Sequence, residues 1–269
     1  MLSQITPLIL TLNELPNIER MLSRLAWARD IVVVDSGSAD GTREILGRHP
    51  AVRLFGREFT PHAEQWNFGL ERTGIRTDWV LALDADYFLS EQLIRELETL
   101  APAQGIAGFR ASFIYCIHGR KLRGSLYPPV TVLFRREHAR YVQHGHTQRV
   151  AVDGRIDPLR APICHDDRKP IARWLESQSR YMRIEAQKLR NAPANTLRWQ
   201  DRLRLLRVVA PIAVPFYVLL VRGLILDGWA GVFYACQRAA SETMLSLYLI
   251  EGEIGPQSGR GSGQGSRKP

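Results

Sequence analysis

Only three cysteines occur among 269 residues, Cys116, Cys164 and Cys236, and no two lie close in sequence. That scarcity excludes a readable disulfide framework or a cysteine-based zinc site, and it fits a reducing compartment. Long apolar runs are also missing. The uncharged stretch Val208 to Val221 has fourteen residues, carries Pro211 and Pro215 and stops at Arg222, whereas a spanning helix needs about 20. Met1 to Leu12 has no basic residue and no small-residue cleavage pattern, so it reads as a first strand rather than a secretory signal. No internal repeat is present. The Gly-containing loop Ser36 to Gly41 has no lysine, which argues against a phosphate-cradling loop and hence against a nucleotidyl- or phosphotransferase.

What the chain does contain is enough apolar material, 45% of its residues, for one large globular domain or a domain with an appendage. The formal net charge is +9, and its placement is uneven. Between Arg168 and Arg207 eleven Lys or Arg face Glu176, Glu185 and Asp201, leaving +8 in that segment. Such a band suits a polyanion: anionic lipid headgroups, lipopolysaccharide phosphates or nucleic acid. No base-stacking platform or groove-reading motif accompanies it, so nucleic acid is the weakest of the three.

Up to about Leu100 short apolar runs alternate with helix-like stretches, the pattern of parallel strands joined by crossover helices. Ile5 to Leu12, Ile31 to Val34, Val52 to Phe55 and Trp79 to Leu83 are the predicted strands. Helices are expected after Asn13, which can cap with Pro16 in the first turn, after Ser38 or Asp40 as far as about Arg48, over His62 to Arg72, and over Ser90 to Leu100. Phe109 to Ile117 and Val130 to Phe134 read as further strands, and Pro170 to Arg190 as a helix. Beyond Gly228 the spacing of Trp229, Val232, Phe233, Cys236, Met244, Leu247 and Tyr248 predicts one apolar helix face, with Arg238, Ser241 and Glu242 opposite. Together with the basic band this suggests helices lying in one leaflet, or else a lid on the sheet. The expected organisation is a catalytic domain over residues 1–168, a basic and apolar helical region over 169–254, and a Gly/Ser-rich disordered tail over 255–269.

Four motifs end predicted strands, and in a parallel α/β sheet those ends share one ligand-binding edge. Thr11-Leu12-Asn13-Glu14 opens a helix whose N–H groups favour a polar ligand, although Asn13 also serves as a plain cap. In Val34-Asp35-Ser36-Gly37-Ser38, Asp35 can accept from a base N–H or a ribose hydroxyl, or simply organise a turn. Ala63 to Leu70 carries Gln65 and Asn67 near a helix start. Trp79 to Asp86 is the most informative: an apolar strand runs into Asp84-Ala85-Asp86, and two such carboxylates call for a cation, with hard oxygen ligands suiting Mg²⁺ or Mn²⁺ beside a diphosphate. A fifth feature, Cys164 to Pro170, holds Asp166 and Asp167, either of which could be a general base, with Arg168 and Lys169 available for acceptor phosphates. His165 lacks a second histidine at ligand spacing, and His144 and His146 read as loop or core residues.

TLNE, VVDSGSADGT, AEQWNFGLE, LALDAD and HDDRKP, in that order, resemble family 2 glycosyltransferases of the GT-A fold, most of all the short bacterial enzymes of lipopolysaccharide-core and surface-glycan synthesis. The resemblance covers about Thr6 to Arg190. It implies a Rossmann-like, mostly parallel sheet flanked by helices, with a C-terminal helical, membrane-associating appendage. By it, Thr11, Asn13, Glu14, Asp35 and Ser36 would hold the nucleoside, and Gln65 and Asn67 would line the donor pocket. Asp84 would meet ribose or metal, Asp86 would be the main metal ligand, and Asp167, as second member of the acidic pair, would be the base, with Asp166 as the alternative. Tyr87 departs from the acidic or polar residue usual after the D-x-D. The implied reaction is inverting transfer of a hexose from a nucleotide-diphosphate sugar, a UDP-sugar in particular, to a lipid-linked or lipopolysaccharide-core saccharide. The expected location is the cytoplasmic side of the inner membrane, peripheral or monotopic. A non-catalytic membrane-bound scaffold is the competing reading.

Overall fold

The computed structural model describes residues 1–144 and 147–254. The expected tail, 255–269, and His146 lie outside the described residues. Seven strands form the main sheet in the spatial order β12-β6-β9-β4-β1-β2-β3. They are β1 (Ile5–Thr11), β2 (Ile31–Asp35), β3 (Val52–Gly56), β4 (Trp79–Asp84), β6 (Ile106–Ala111), β9 (Val130–Arg135) and β12 (Arg155–Pro158). β1 to β4 are mutually parallel, β9 runs antiparallel to both β4 and β6, and β12 is parallel to β6. A smaller sheet, β5-β13-β7-β8, joins β5 (Tyr87–Leu89), β13 (Ile163–His165), β7 (Phe113–Ile117) and β8 (Arg120–Lys121), and β10 (Ala139–His144) pairs with β11 (Thr147–Val152).

The central strands are apolar throughout because both of their faces are covered. Alternate residues divide between two cores. Ile5, Ile9, Val33, Leu81 and Leu83 meet α1 (Leu15–Ser23), α2 (Thr42–Arg48) and α4 (Glu91–Thr99) through Ile18, Leu46 and Leu93. Leu8, Val32, Val34, Val80 and Ala82 meet α3 (His62–Arg72) through Trp66 and Leu70, with Tyr141 of β10 stacked on Trp66 at 5.1 Å between ring centroids. The period of two in the strands is thus what builds three layers. Gly69 lets α3 settle on the sheet: a Cβ there would stand 2.7 Å from Cδ1 of fully buried Leu8.

Three expectations are corrected. The single strand foreseen over Phe109 to Ile117 is two strands in different sheets, β6 and β7, parted at Ser112. Asn13 does not cap α1. It sits at φ +54, a region Asn tolerates, and its Oδ1 accepts from the Ala39 N–H at 2.8 Å while its own N–H donates to Ser38 Oγ at 2.7 Å. The third concerns α8 (Trp229–Ile254), whose packing surface is wider than predicted: Phe233, Met244 and Tyr248 pack partly buried against apolar clusters, but much of the side read as polar is buried too. Gln237, Ser241, Glu242 and Ser246 are buried alongside Ala230, Tyr234, Leu245 and Leu249, whereas Trp229 and Leu247 are 82% and 61% exposed. Small residues permit close approach, and Ser241, Glu242 and Ser246 find partners, whereas Gln237 Oε1 is buried without one. Glu242 takes the Arg204 guanidinium at 2.6 Å and Ser241 Oγ donates to Gln178 Oε1 at 3.2 Å, so their burial carries no unpaired-charge penalty.

α8 packs along α5 (Ile171–Asn191), α6 (Trp199–Leu205) and α7 (Val209–Phe216). Ile117 and Leu122 at β7–β8 share one apolar cluster with Val218, Leu224 and Tyr234, which ties the helical region to the smaller sheet. At Gly231 the helix meets the preceding turn so closely that a Cβ would lie 1.8 Å from the Leu224 carbonyl oxygen. Much of the basic band is neutralised within the fold: Lys188 with Glu185, Arg198 with Asp201, Arg204 with Glu242, and Arg207 with Glu253. Among the described residues, no helix is long and apolar enough to cross a membrane.

Candidate active site

Parallel pairing aligns the carboxyl ends of β1, β2 and β4, with Thr11 opposite Asp35 and Leu10 opposite Asp84. The loops that carry the motifs therefore leave from one edge. Asp35, offered by the sequence as a direct acceptor for a nucleoside, has a different immediate task. It is fully buried, and its carboxylate accepts from Thr11 Oγ1 (2.9 Å), Gly37 N (3.1 Å), Ser38 N (2.9 Å) and Ser38 Oγ (2.5 Å). Those four bonds shape the 36–38 loop and leave the carboxylate saturated. Gln65 reaches that loop, donating to Glu58 O at 2.8 Å and Ser36 Oγ at 3.4 Å, and its Oε1 is buried without a partner. Asn67 does not join the site. Both ends of its amide are spent on the Tyr141 backbone at 2.9 Å, which fastens β10 to α3.

The end of β4 meets the end of β13. The Asp166 N–H donates to the Asp86 carbonyl at 3.0 Å, and His165 Nε2 stands 3.4 Å from Asp86 Oδ2. Asp86 Oδ1 is buried with no hydrogen-bond partner. Burial, reinforced by the charge of Asp86, pushes the Asp84 carboxyl up to about 6, against the pull of His165, a Tyr87 hydrogen bond and Lys169. Tyr87, the departure noted in the sequence, pairs its hydroxyl with that of Tyr127 at 2.7 Å. An orphaned buried carboxylate oxygen beside a second carboxyl whose ionisation is disfavoured by burial and by its neighbour's charge fits a divalent cation, with Asp86 and Asp84 as the residues that would hold it. Among the described residues no cluster of three or more His, Cys, Asp or Glu forms a ready-made cage. Oxygens of a bound diphosphate would have to complete the coordination.

The two members of the acidic pair have separate environments. Asp166 is 2% exposed and held by the Arg20 guanidinium, by Arg168 Nε at 3.0 Å and by the Gly119 N–H at 3.0 Å. The Gly119 donor comes from the two-residue turn between β7 and β8, where His118 (φ +48) and Gly119 (φ +84) both adopt left-handed backbone. Burial alone would raise the Asp166 carboxyl, but Gly119, Arg20 and Arg168 together hold it below its ordinary range. Asp167 receives its bonds on Oδ1 alone among the described residues, from Asn17 Nδ2 and the Lys169 N–H, each at 3.1 Å. It lines a cleft with Tyr115, His118, Lys169, Trp174 and Phe233.

Lys169 and Arg168, expected to meet acceptor phosphates, both pair with carboxylates of the protein, Lys169 largely buried and Arg168 still exposed. Lys169 Nζ is 2.6 Å from Glu14 and 3.7 Å from Asp167, and Arg168 is on Asp166. Burial disfavours the Lys169 charge, yet Glu14, Asp167 and Asp86 hold it above its ordinary range. Glu14 is pushed up to about 7 by burial and by Asp86, against the pull of Lys169. Two residues outside the motifs join these groups. Asn17 donates to both Glu14 Oε2 (2.9 Å) and Asp167, while its Oδ1 accepts from the Arg168 N–H (3.1 Å), and Arg20 clasps both the side chain and the carbonyl of Asp166. Their spacing, Glu14, Asn17, Arg20, is one polar stripe on a helix and was the available signal.

Ionisation of Asp84 is disfavoured by the fold, which gives a pH prediction. A carboxyl whose folded value lies above its ordinary 3.8 contributes stability below that value and loses it as pH rises through about 6. In chelator, Asp84→Asn should therefore gain thermal stability relative to the wild type between pH 4 and 7. A gap in unfolding temperature that does not change with pH would refute this.

The family model for Glycosyl transferase family 2 matches residues 8–150, which contain the second half of β1, all of β2 to β4 and the Asp84–Asp86 pair. The chain belongs to glycosyl transferase family 2. Curated relatives of this family 2 chain include an uncharacterized glycosyltransferase of Rickettsia bellii, 26% identical over 54% of this chain and 49% of that protein. Another is the lipopolysaccharide core biosynthesis glycosyltransferase LpsC of Rhizobium meliloti, 33% identical over 39% of this chain and 40% of that protein. The chain thus spans half or less of the length of these relatives. Among solved structures, S. aureus TarS 1-349 in complex with UDP-GlcNAc aligns with a TM-score of 0.47 at 13% identity, covering 93% of this chain and 91% of that one. Glucosyl-3-phosphoglycerate synthase from Mycobacterium tuberculosis aligns at 0.44 with 18% identity, covering 69% and 78%.

Proposed function

We propose that this family 2 chain is an inverting glycosyltransferase that moves a hexose from a nucleotide-diphosphate sugar to a saccharide hydroxyl. The observation carrying this reading is the meeting of the Asp84–Asp86 strand end with Asp167, linked through Lys169 and the Asp166–Asp86 backbone bond. Donor recognition falls to the β1 and β2 ends, where Thr11, Asn13 and the Asp35-shaped loop at Ser36 form the wall and Gln65 closes it. A Mg²⁺ or Mn²⁺ ion held by Asp84 and Asp86 would supply positive charge beside the leaving diphosphate.

Asp167 is the base in this scheme. With Oδ1 fixed by Asn17 and Lys169, Oδ2 is the oxygen available to take the proton of the acceptor hydroxyl. That hydroxyl oxygen forms the new bond to the anomeric carbon as the bond to the diphosphate breaks, with inversion. The separate fates of the two aspartates favour Asp167 over Asp166, because a carboxylate saturated by two guanidiniums and an N–H is a poor proton acceptor. The cleft beside Asp167, with Tyr115, Trp174 and Phe233, is the acceptor side. A lipid-linked or lipopolysaccharide-core acceptor follows from the name of the LpsC relative and from the resemblance, which also suggests a UDP-sugar and a place at the inner face of the membrane.

A screen of nucleotide sugars with lipid-linked oligosaccharides, with and without Mn²⁺ or Mg²⁺, tests the reading. Release of nucleoside diphosphate with a β-linked product from an α-linked donor is expected. Release of pyrophosphate, or an α-linked product, would overturn it.

A further inference from the structure

A band of uncovered apolar side chains runs through the segment joining α6 to α8. Leu206, Ile212, Phe216, Val221, Leu226 and Trp229 are all exposed, Val221 at 71% and Trp229 at 82%. Between them Ala210, Val218 and Leu224 turn inward and are buried, so the segment is a packed, two-sided element. Pro215, which lacks an N–H and crowds the preceding turn, is followed by a widened π turn over Tyr217–Val221, and a short 3-10 turn (Leu224–Asp227) then reaches α8. The result is a blunt loop of helix with a wet apolar outer surface. Exposed patches of this kind mark a surface that meets a partner.

The charge pattern says which partner. No acidic residue occurs from Arg202 to Leu226, and Arg202 and Arg222 are exposed. Arg123, 63% exposed, flanks the band through its pairing with Asp227 at 3.2 Å, and Arg222 donates to Ser125 O at 2.9 Å. Trp199, Tyr217 and Trp229 are exposed as well, the residue types that settle between hydrocarbon and headgroup. An apolar face rimmed by guanidiniums is complementary to acyl chains beneath anionic phosphates. A second copy docking face to face would bring those cations together.

We infer that this band is a monotopic membrane seat that enters one leaflet of an anionic bilayer. The seat is joined to the catalytic body, since Val218 and Leu224 share a cluster with Ile117, Leu122 and Tyr234, and Phe233 of the same helix lines the cleft that holds Asp167. Insertion therefore fixes the Asp167 cleft near the headgroup plane, where an acceptor can keep its lipid anchor in the bilayer. This last step rests on the acceptor cleft proposed above; the seat itself does not.

The test uses the full chain and vesicles of phosphatidylcholine with or without phosphatidylglycerol. The wild type should float with the anionic vesicles, and a Phe216→Glu, Val221→Glu double variant should bind at least about tenfold more weakly. Brominated phosphatidylglycerol should quench tryptophan emission in the wild type and less in Trp229→Phe, a conservative change at a surface position. Transfer to a water-soluble acceptor should be equal in wild type and double variant, so a failed glycosyltransferase reading shows there and a failed seat shows in flotation. Equal vesicle binding by the double variant, no bromolipid quenching, or a lipid-free dimer that the double variant disperses would overturn the seat.

Discussion

Asp167→Asn should leave a folded protein that binds the donor nucleotide normally and turns over about 10²–10⁴-fold more slowly, the range for loss of a positioned general base. Asparagine keeps an oxygen for the Asn17 donor but offers no basic site to the acceptor hydroxyl. The loss should fall on kcat, with the nucleotide's Kd nearly unchanged, because Asp35 and Gln65 make their hydrogen bonds to other residues than Asp167. Asp166→Asn is the informative comparison. It removes the charge clasped by Arg20 and Arg168, so it should cost stability as well as rate. If Asp166→Asn loses the proton-dependent limb of the pH–rate profile and Asp167→Asn keeps it, the roles given to the two residues are exchanged.

Arg20→Ala should be among the most destabilising single changes in the chain. Asp166 is nearly inaccessible to water, and removing one partner of a buried pair costs about 3–5 kcal/mol because the other charge is left uncompensated. Arg168 and the Gly119 N–H remain, which puts the expectation near the lower figure. Arg20 also binds the Asp166 carbonyl at 2.7 Å, so the loop bearing Asp167 should loosen and kcat should fall with stability. Urea unfolding of wild type, Arg20→Ala and Arg20→Lys checks this. A loss below about 1 kcal/mol for Arg20→Ala would mean that the pair behaves as a surface bridge.

The catalytic half of the fold was legible because its strands are apolar on both faces and alternate with amphipathic stretches, even though of its four helices only α4 has a side-chain cap. β1 to β4 fall within a residue or so of the predicted runs, and Ser90 caps α4 through the Leu93 N–H as its position suggests. The place of Asp84 and Asp86 at the end of a buried strand was legible for the same reason. The tie of Asn67 to β10 was not legible, since only the three-dimensional position of the β10 backbone reveals where its amide bonds. Arg20 and Asn17 were missed because their partners, Asp166 and Asp167, lie about 150 positions away. The burial of Ser241 and Glu242 on α8 was missed because hydrophobic periodicity assumes water on the polar side, whereas this helix has Arg204 and Gln178 waiting on one side.

The bond from Asp166 N–H to the Asp86 carbonyl has one more consequence. It stitches main chain to main chain, so the two strand ends keep a contact that no substitution of the Asp86 or Asp166 side chain removes directly. In the proposed reaction, changes in the surrounding walls could then alter donor and acceptor preference while this backbone tie stays in place.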